Sequence, residues 1–207
     1  MIFKRKIYDE LLRWKRTDEG RTAVLIQGAR RVGKSTVAEE FATNEYDTHI
    51  LVDFAACSSE IRDLFNDVSD LNRIFMRLQL EYGIELRERK SAIIFDEVQL
   101  APKARQAIKY LVKDGRYDYI ETGSLISIRK NVKDILIPSE EVKLHMYPMD
   151  YEEFKWALGD TATIKLLQSC FQNRTSLGDA TNRKLMRDFR LYMLIGGGGG
   201  GGGAATG

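Results

Sequence analysis

Apolar residues along this chain follow two alternating rhythms. Short runs at residues 23–27, 50–54, 92–95 and 117–120 have the length and composition of buried strands, and residues 141–146 make a fifth candidate. Between them the apolar positions recur at helical spacing. Val37, Ala38 and Phe41 share one face, then Leu71, Ile74, Phe75 and Leu78, then Ala104, Ala107, Ile108 and Leu111. Asp114 and Gly115 end the last of these. Ile7, Leu11 and Leu12 predict a further amphipathic helix ahead of the first strand. Strands that alternate with helices predict a parallel sheet covered on both faces, a three-layer α/β sandwich.

After Pro148 the pattern is wholly helical: Tyr151, Phe154 and Leu158, then Ile164, Leu167 and Phe171, then Leu185, Phe189 and Tyr192. The expected organisation is an α/β domain over residues 1–149 and a helical appendage over residues 150–195. Residues 196–207, GGGGGGGGAATG, read as a glycine-rich tail of unassigned residues, because they carry neither the serine nor the charge of a natural linker.

Composition narrows the classes. The chain has 207 residues, enough for one α/β domain and a small addition. With 32 Lys and Arg against 30 Asp and Glu, the net charge of +2 gives no global argument for nucleic acid. The opening segment, with Lys4, Arg5, Lys6, Arg13, Lys15 and Arg16, is locally basic, and with a near-neutral total a solvated helix face explains it better than DNA does. Two separated cysteines (Cys57, Cys170) and two separated histidines (His49, His145) match neither a disulfide framework nor a zinc site. No apolar run approaches the ~20 residues that span a bilayer, and the first residues lack a signal-peptide stretch. A cytoplasmic protein without a membrane partner is the expectation.

The sharpest local signal is Gly28-Ala29-Arg30-Arg31-Val32-Gly33-Lys34-Ser35, which fits GxxxxGK[ST] at every fixed position. A buried strand precedes it and an amphipathic helix follows, the context in which backbone N–H groups can cradle phosphates. The two glycines are expected to permit unusual dihedrals and close approach. The helix beginning at Lys34 adds its positive end. Lys34 is placed to reach the β- and γ-phosphates, Ser35 to ligate Mg²⁺, and Thr36 to meet an α-phosphate oxygen.

A second signal closes the third strand. In AIIFDEVQ, Asp96 and Glu97 stand at the carboxyl end of a parallel strand, where ligands gather. Asp96 is the candidate Mg²⁺ carboxylate beside Ser35. Glu97 is the candidate that orients and polarises the attacking water. Further on, YIETGS puts Thr122 and Ser124 after the fourth strand, as candidates for sensing γ-phosphate, against an ordinary ST-turn. Both Asp96 and this sensor segment must flank the loop after strand one. The strand order is therefore expected to be 5-1-4-3-2.

GARRVGKS, FDEVQ, ETGS and the later MYPMDYEEF together resemble the bacterial and archaeal AAA-type P-loop ATPases (the ASCE class), over roughly residues 1–195. The resemblance implies ATP and Mg²⁺ as ligands and hydrolysis coupled to conformational change. It also implies a homo-oligomer as a candidate assembly. The family commonly joins its N-terminal ATPase domain to a nuclease-like C-terminal domain, and LYMLIGG resembles the passage into that half, so this chain is expected to be part of a longer protein. Gln99 matches the family's DEVQ-like motif, as a contact to the water or the sensor strand. Arg129 is a candidate arginine finger or phosphate sensor, against a solvated surface role, and Arg30 and Arg31 stay open between contact with a partner or DNA and solvent.

Two alternatives remain beside hydrolysis: a switch that binds ATP with little turnover, and a DNA-associated ATPase. Nucleotide kinases share the loop but need an arginine-rich lid that the sequence does not display. No NKxD-type segment is present to read guanine, which favours ATP.

Overall fold

The computed structural model describes residues 3–124 and 140–195. It divides into two compact units, one of Ile7–Met146 and one joining the chain up to Lys6 with the chain from Tyr147 onward.

The larger unit is built on five parallel strands: β1 (Ala23–Gly28), β2 (Thr48–Asp53), β3 (Ser91–Asp96), β4 (Asp118–Ser124) and β5 (Glu141–Met146). Their order across the sheet is β2-β3-β4-β1-β5, which is the expected 5-1-4-3-2 read from the other edge. β1, β3 and β4 are buried on both faces, as continuous apolar runs require. The strands alternate their side chains between two cores.

One core joins Val24, Ile26, Ile94 and Ile120 to α1 (Lys6–Asp18), through Leu11 and Trp14, and to α2 (Lys34–Glu45), through Val37, Ala38 and Phe41. The other joins Leu25, Ile93, Phe95 and Tyr119 to α3 (Ser59–Asp63), α4 (Leu71–Tyr82) and α5 (Pro102–Asp114). Two 3₁₀ turns, Leu64–Asn66 and Val98–Leu100, complete this unit's described elements.

One sequence boundary moves and one helix is added. Thr122 and Ser124, expected beyond the fourth strand, lie inside it, because pairing with β1 continues through Gln27↔Gly123 and Gly28↔Ser124. Gly123 has low strand propensity, which hides the continuation in the sequence. The short α3 also had no periodic signal, since five residues span barely one turn.

In the smaller unit, Asp150 caps α6 (Tyr151–Ala157) in a capping box with Glu153. The Arg5 guanidinium meets Glu153 at 3.2 Å, and Lys6 meets Asp150 at 2.7 Å and Glu152 at 2.8 Å. α7 (Thr163–Gln172) and α8 (Asp179–Ile195) contain no fully buried residue. Tyr151, Phe154, Phe189 and Tyr192 instead form an aromatic cluster between α6 and α8.

Candidate functional site

The loop between β1 and α2 is fixed by two glycines with different duties. Gly33 takes φ 92°, a left-handed conformation, as the residue that opens α2. Gly28 is needed for space. A Cβ there would lie 2.1 Å from the carbonyl oxygen of Met146 on β5. Sequence reading assigned both glycines to dihedral freedom and phosphate approach; for Gly28 the close neighbour is a strand backbone. Arg31 also takes a left-handed backbone, at φ 63°, which no glycine signals. Val32 turns inward and packs into the core that holds α2, anchoring the loop.

No side chain caps the N-terminus of α2, and no acidic residue stands in its first turn. The end of a helix left in this way favours an anion. Lys34 is only 4% exposed, and its ammonium donates to the Ala29 carbonyl at 2.8 Å. Burial pushes the Lys34 pKa down; the charges of Glu97 and Asp96 oppose that shift, and Arg30 adds to it. An arriving phosphate would act on Lys34 in the same sense as the two carboxylates. Ala29, Arg30, Arg31 and Thr36 are exposed, and Ser35 is half-buried.

Five residues from α2, β3, β4 and the 3₁₀ turn after β3 are linked in a chain of hydrogen bonds. The Ser35 hydroxyl, in the first turn of α2, donates to Asp96 Oδ1 at 2.6 Å. The Thr122 hydroxyl on β4 donates to the same oxygen and accepts from the Glu97 N–H at 3.2 Å. Gln99, in the 3₁₀ turn after β3, donates through its amide to Glu97 Oε2. Glu97 leaves the strand in a left-handed conformation, φ 54° and ψ 45°. That breaks the period-two alternation of β3, and its charge acts on Lys34 beside that of Asp96.

Thr122 and Ser124 therefore part company. Thr122 is wholly buried and bonded to Asp96 and to the Glu97 backbone. Ser124 ends β4 opposite Gly28, at the root of the loop. Sequence reading treated the two as equivalents, because a hydroxyl's partner across the sheet has no signature along the chain. The pair Gln27–His145, 2.7 Å apart across β1 and β5, was missed for the same reason. Arg129 lies outside the described residues.

Ser35 and Asp96 offer only hydroxyl and carboxylate oxygens, a hard donor set that suits Mg²⁺ rather than a soft metal. Among the described residues no three His, Cys, Asp or Glu side chains gather into a metal cluster. A phosphate-bound Mg²⁺ needs only one or two protein ligands, so the pair is sufficient. Among the described residues no helix is long and apolar enough to cross a membrane.

A parallel sheet ordered β2-β3-β4-β1-β5, with a GxxxxGKS loop after the strand next to β4 and an acidic pair ending β3, defines a phosphate-loop nucleotide-binding fold of the ATPase type. The chain belongs to the AAA domain family, whose model matches residues 20–155, well over half of its length.

No curated protein matches it in sequence. Among solved structures it is similar to the Aeropyrum pernix ORC1 protein in complex with DNA, at 16% identity and TM-score 0.47, covering 77% of this chain and 49% of that one. The Thermotoga maritima RuvB Holliday junction branch migration motor gives 12% identity and TM-score 0.44, covering 79% and 52%. C. elegans PCH-2 gives 12% and 0.43, covering 81% and 49%. The chain thus spans about half the length of these structures. With TM-scores below 0.5, these likenesses add nothing to the fold that the strand order already defines.

Proposed function

We propose that this chain binds ATP with Mg²⁺ at residues 28–36, hydrolyses it, and uses the hydrolysis to change conformation. The observation that carries the reading is the linked set Ser35–Asp96–Thr122–Glu97, with Glu97 acting electrostatically on the buried Lys34.

Lys34 exchanges the Ala29 carbonyl for oxygens of the β- and γ-phosphates, while the loop N–H groups hold the remainder of the chain of phosphates. Ser35 and Asp96 hold Mg²⁺, which when bound neutralises charge on the phosphates. Glu97 orients a water against the γ-phosphorus and accepts its proton. The new P–O bond forms to that water as the bond to the β–γ bridging oxygen breaks, giving ADP and inorganic phosphate. Thr122 ties the Asp96 carboxylate to the Glu97 main chain, and Ser124, beside Gly28, reports on the γ-phosphate. Water is the acceptor because the Glu97 carboxylate acts beside the loop lysine.

Equilibrium titration with a fluorescent ATP analogue tests the nucleotide site. Lys34→Ala is expected to weaken Mg-ATP binding by about 10²-fold, the scale of a lost charge-assisted contact in a buried setting. Unchanged affinity would remove the loop from nucleotide binding.

A further inference from the structure

Glu97, like Arg31 in the loop, is a site residue whose backbone is held against its own preference. A left-handed conformation costs a non-glycine residue about 1–2 kcal/mol, and it persists only where its surroundings over-determine it. Two of the restraints are backbone ones. The Glu97 N–H is held by Thr122, and the Glu97 carbonyl accepts the Leu100 N–H at 2.9 Å. Both fix the main chain, and neither fixes the carboxylate. A glutamate has three side-chain torsions, so a fixed Cα still leaves the carboxylate free to sweep several ångströms.

Among the described residues, the side chain that bonds the carboxylate is Gln99. Its amide nitrogen donates to Glu97 Oε2 from within the same 3₁₀ turn. Gln99 is 5% exposed, so its amide is locked by packing rather than free to follow solvent. The turn is closed in addition by the Ala101 N–H on the Val98 carbonyl at 3.0 Å, and Pro102 then opens α5. The donor is thus buried and carried on a closed turn, while Glu97 is half-buried. A rigid donor holding a mobile acceptor is the arrangement that orients a general base.

We propose that Gln99 is a positioning residue for the reaction: by occupying Glu97 Oε2 it fixes the carboxylate plane and leaves Oε1 to take the water. The proposal rests on the reading of Glu97 as the water-orienting carboxylate. Gln99 touches neither nucleotide nor water in this scheme; it acts only through Glu97.

The test is a double-mutant cycle on ATP turnover with binding measured in parallel. Gln99→Met keeps the length of the side chain without the donor, and Gln99→Glu keeps the shape while replacing the donor with an acceptor. Each is expected to lower kcat by about tenfold or more, the scale of a misplaced reacting group. The affinity for the fluorescent ATP analogue should stay within about twofold, which also shows that each variant is folded. In a Glu97→Gln background, Gln99→Met should cost nothing further, because the group it positions is already disabled. Parent-level or raised kcat in both Gln99 variants, beside an inactive Glu97→Gln, would overturn the positioning role alone. So would a full additional loss in the double variant. Parent-level turnover in Glu97→Gln would instead strike the underlying reading.

Discussion

Thr122 and Glu121 are neighbours on β4, both wholly buried, and they face opposite sides of the sheet. On the α2 side, Thr122 spends its hydroxyl twice, as donor to Asp96 and acceptor from Glu97. On the α5 side, neither oxygen of Glu121 finds a hydrogen-bond partner among the described residues. Beside it, Arg105 binds Glu141 through three contacts of 3.1–3.3 Å, with Lys143 at 3.7 Å from the same carboxylate. Both clusters are buried and polar. The first is the one joined to the phosphate loop, through Ser35. Burial of polar groups alone therefore does not mark a site in this sheet; the connection to a loop that can receive a ligand does.

The comparison can be broken first on the α5 side. Arg105 and Glu141 have side chains 3% and 0% exposed, so removing one partner leaves a charge buried. Arg105→Met is expected to lower the unfolding free energy by about 3 kcal/mol, the low end for a broken buried pair, since Lys143 remains. Urea denaturation measures it. A change below about 1 kcal/mol would mean that the pair merely offsets its own desolvation.

A smaller effect sharpens the contrast between the two faces. Burial, and then the charge of Glu141, raise the Glu121 pKa well above 4.5, with Arg105 opposing. The folded chain therefore holds that proton more tightly than the unfolded chain does. The stability this contributes is complete below about pH 4.5 and is lost as pH rises towards the folded pKa. Glu121→Gln should match the parent in acid and become progressively more stable than it as pH climbs above about 4.5. Parallel curves for variant and parent would show that folding leaves the proton affinity of Glu121 unchanged.

The same contrast explains what could be read from the sequence. Gly28, Lys34 and Ser35 announced themselves because a strand, a phosphate cradle and a helix start must follow one another at fixed spacing along the chain. Asp96 and Glu97 were legible from the end of an apolar strand, and the strand order followed from the need to bring both signals to one edge. Arg105–Glu141, separated by 36 residues, has no such spacing rule. Nor does the reach of Thr122 to Asp96 across adjacent strands, or the closeness of Gly28 to Met146. These depend on register, which the one-dimensional pattern does not contain. Glu97 gave a different lesson. Its residue type was legible, but its left-handed backbone was not, because nothing in Phe-Asp-Glu-Val departs from a strand ending.

The proposed function turns on Glu97 acting on a nucleotide held by Lys34 and Ser35. Glu97→Gln keeps the size and most of the hydrogen-bonding shape of the side chain and removes the charge that polarises water. Paired nucleotide-binding and phosphate-release assays on this variant are the most direct test. The account predicts ATP affinity close to that of the parent and hydrolysis at least ~10²-fold slower, the usual scale for a lost general base. Equal phosphate release by parent and variant would contradict it.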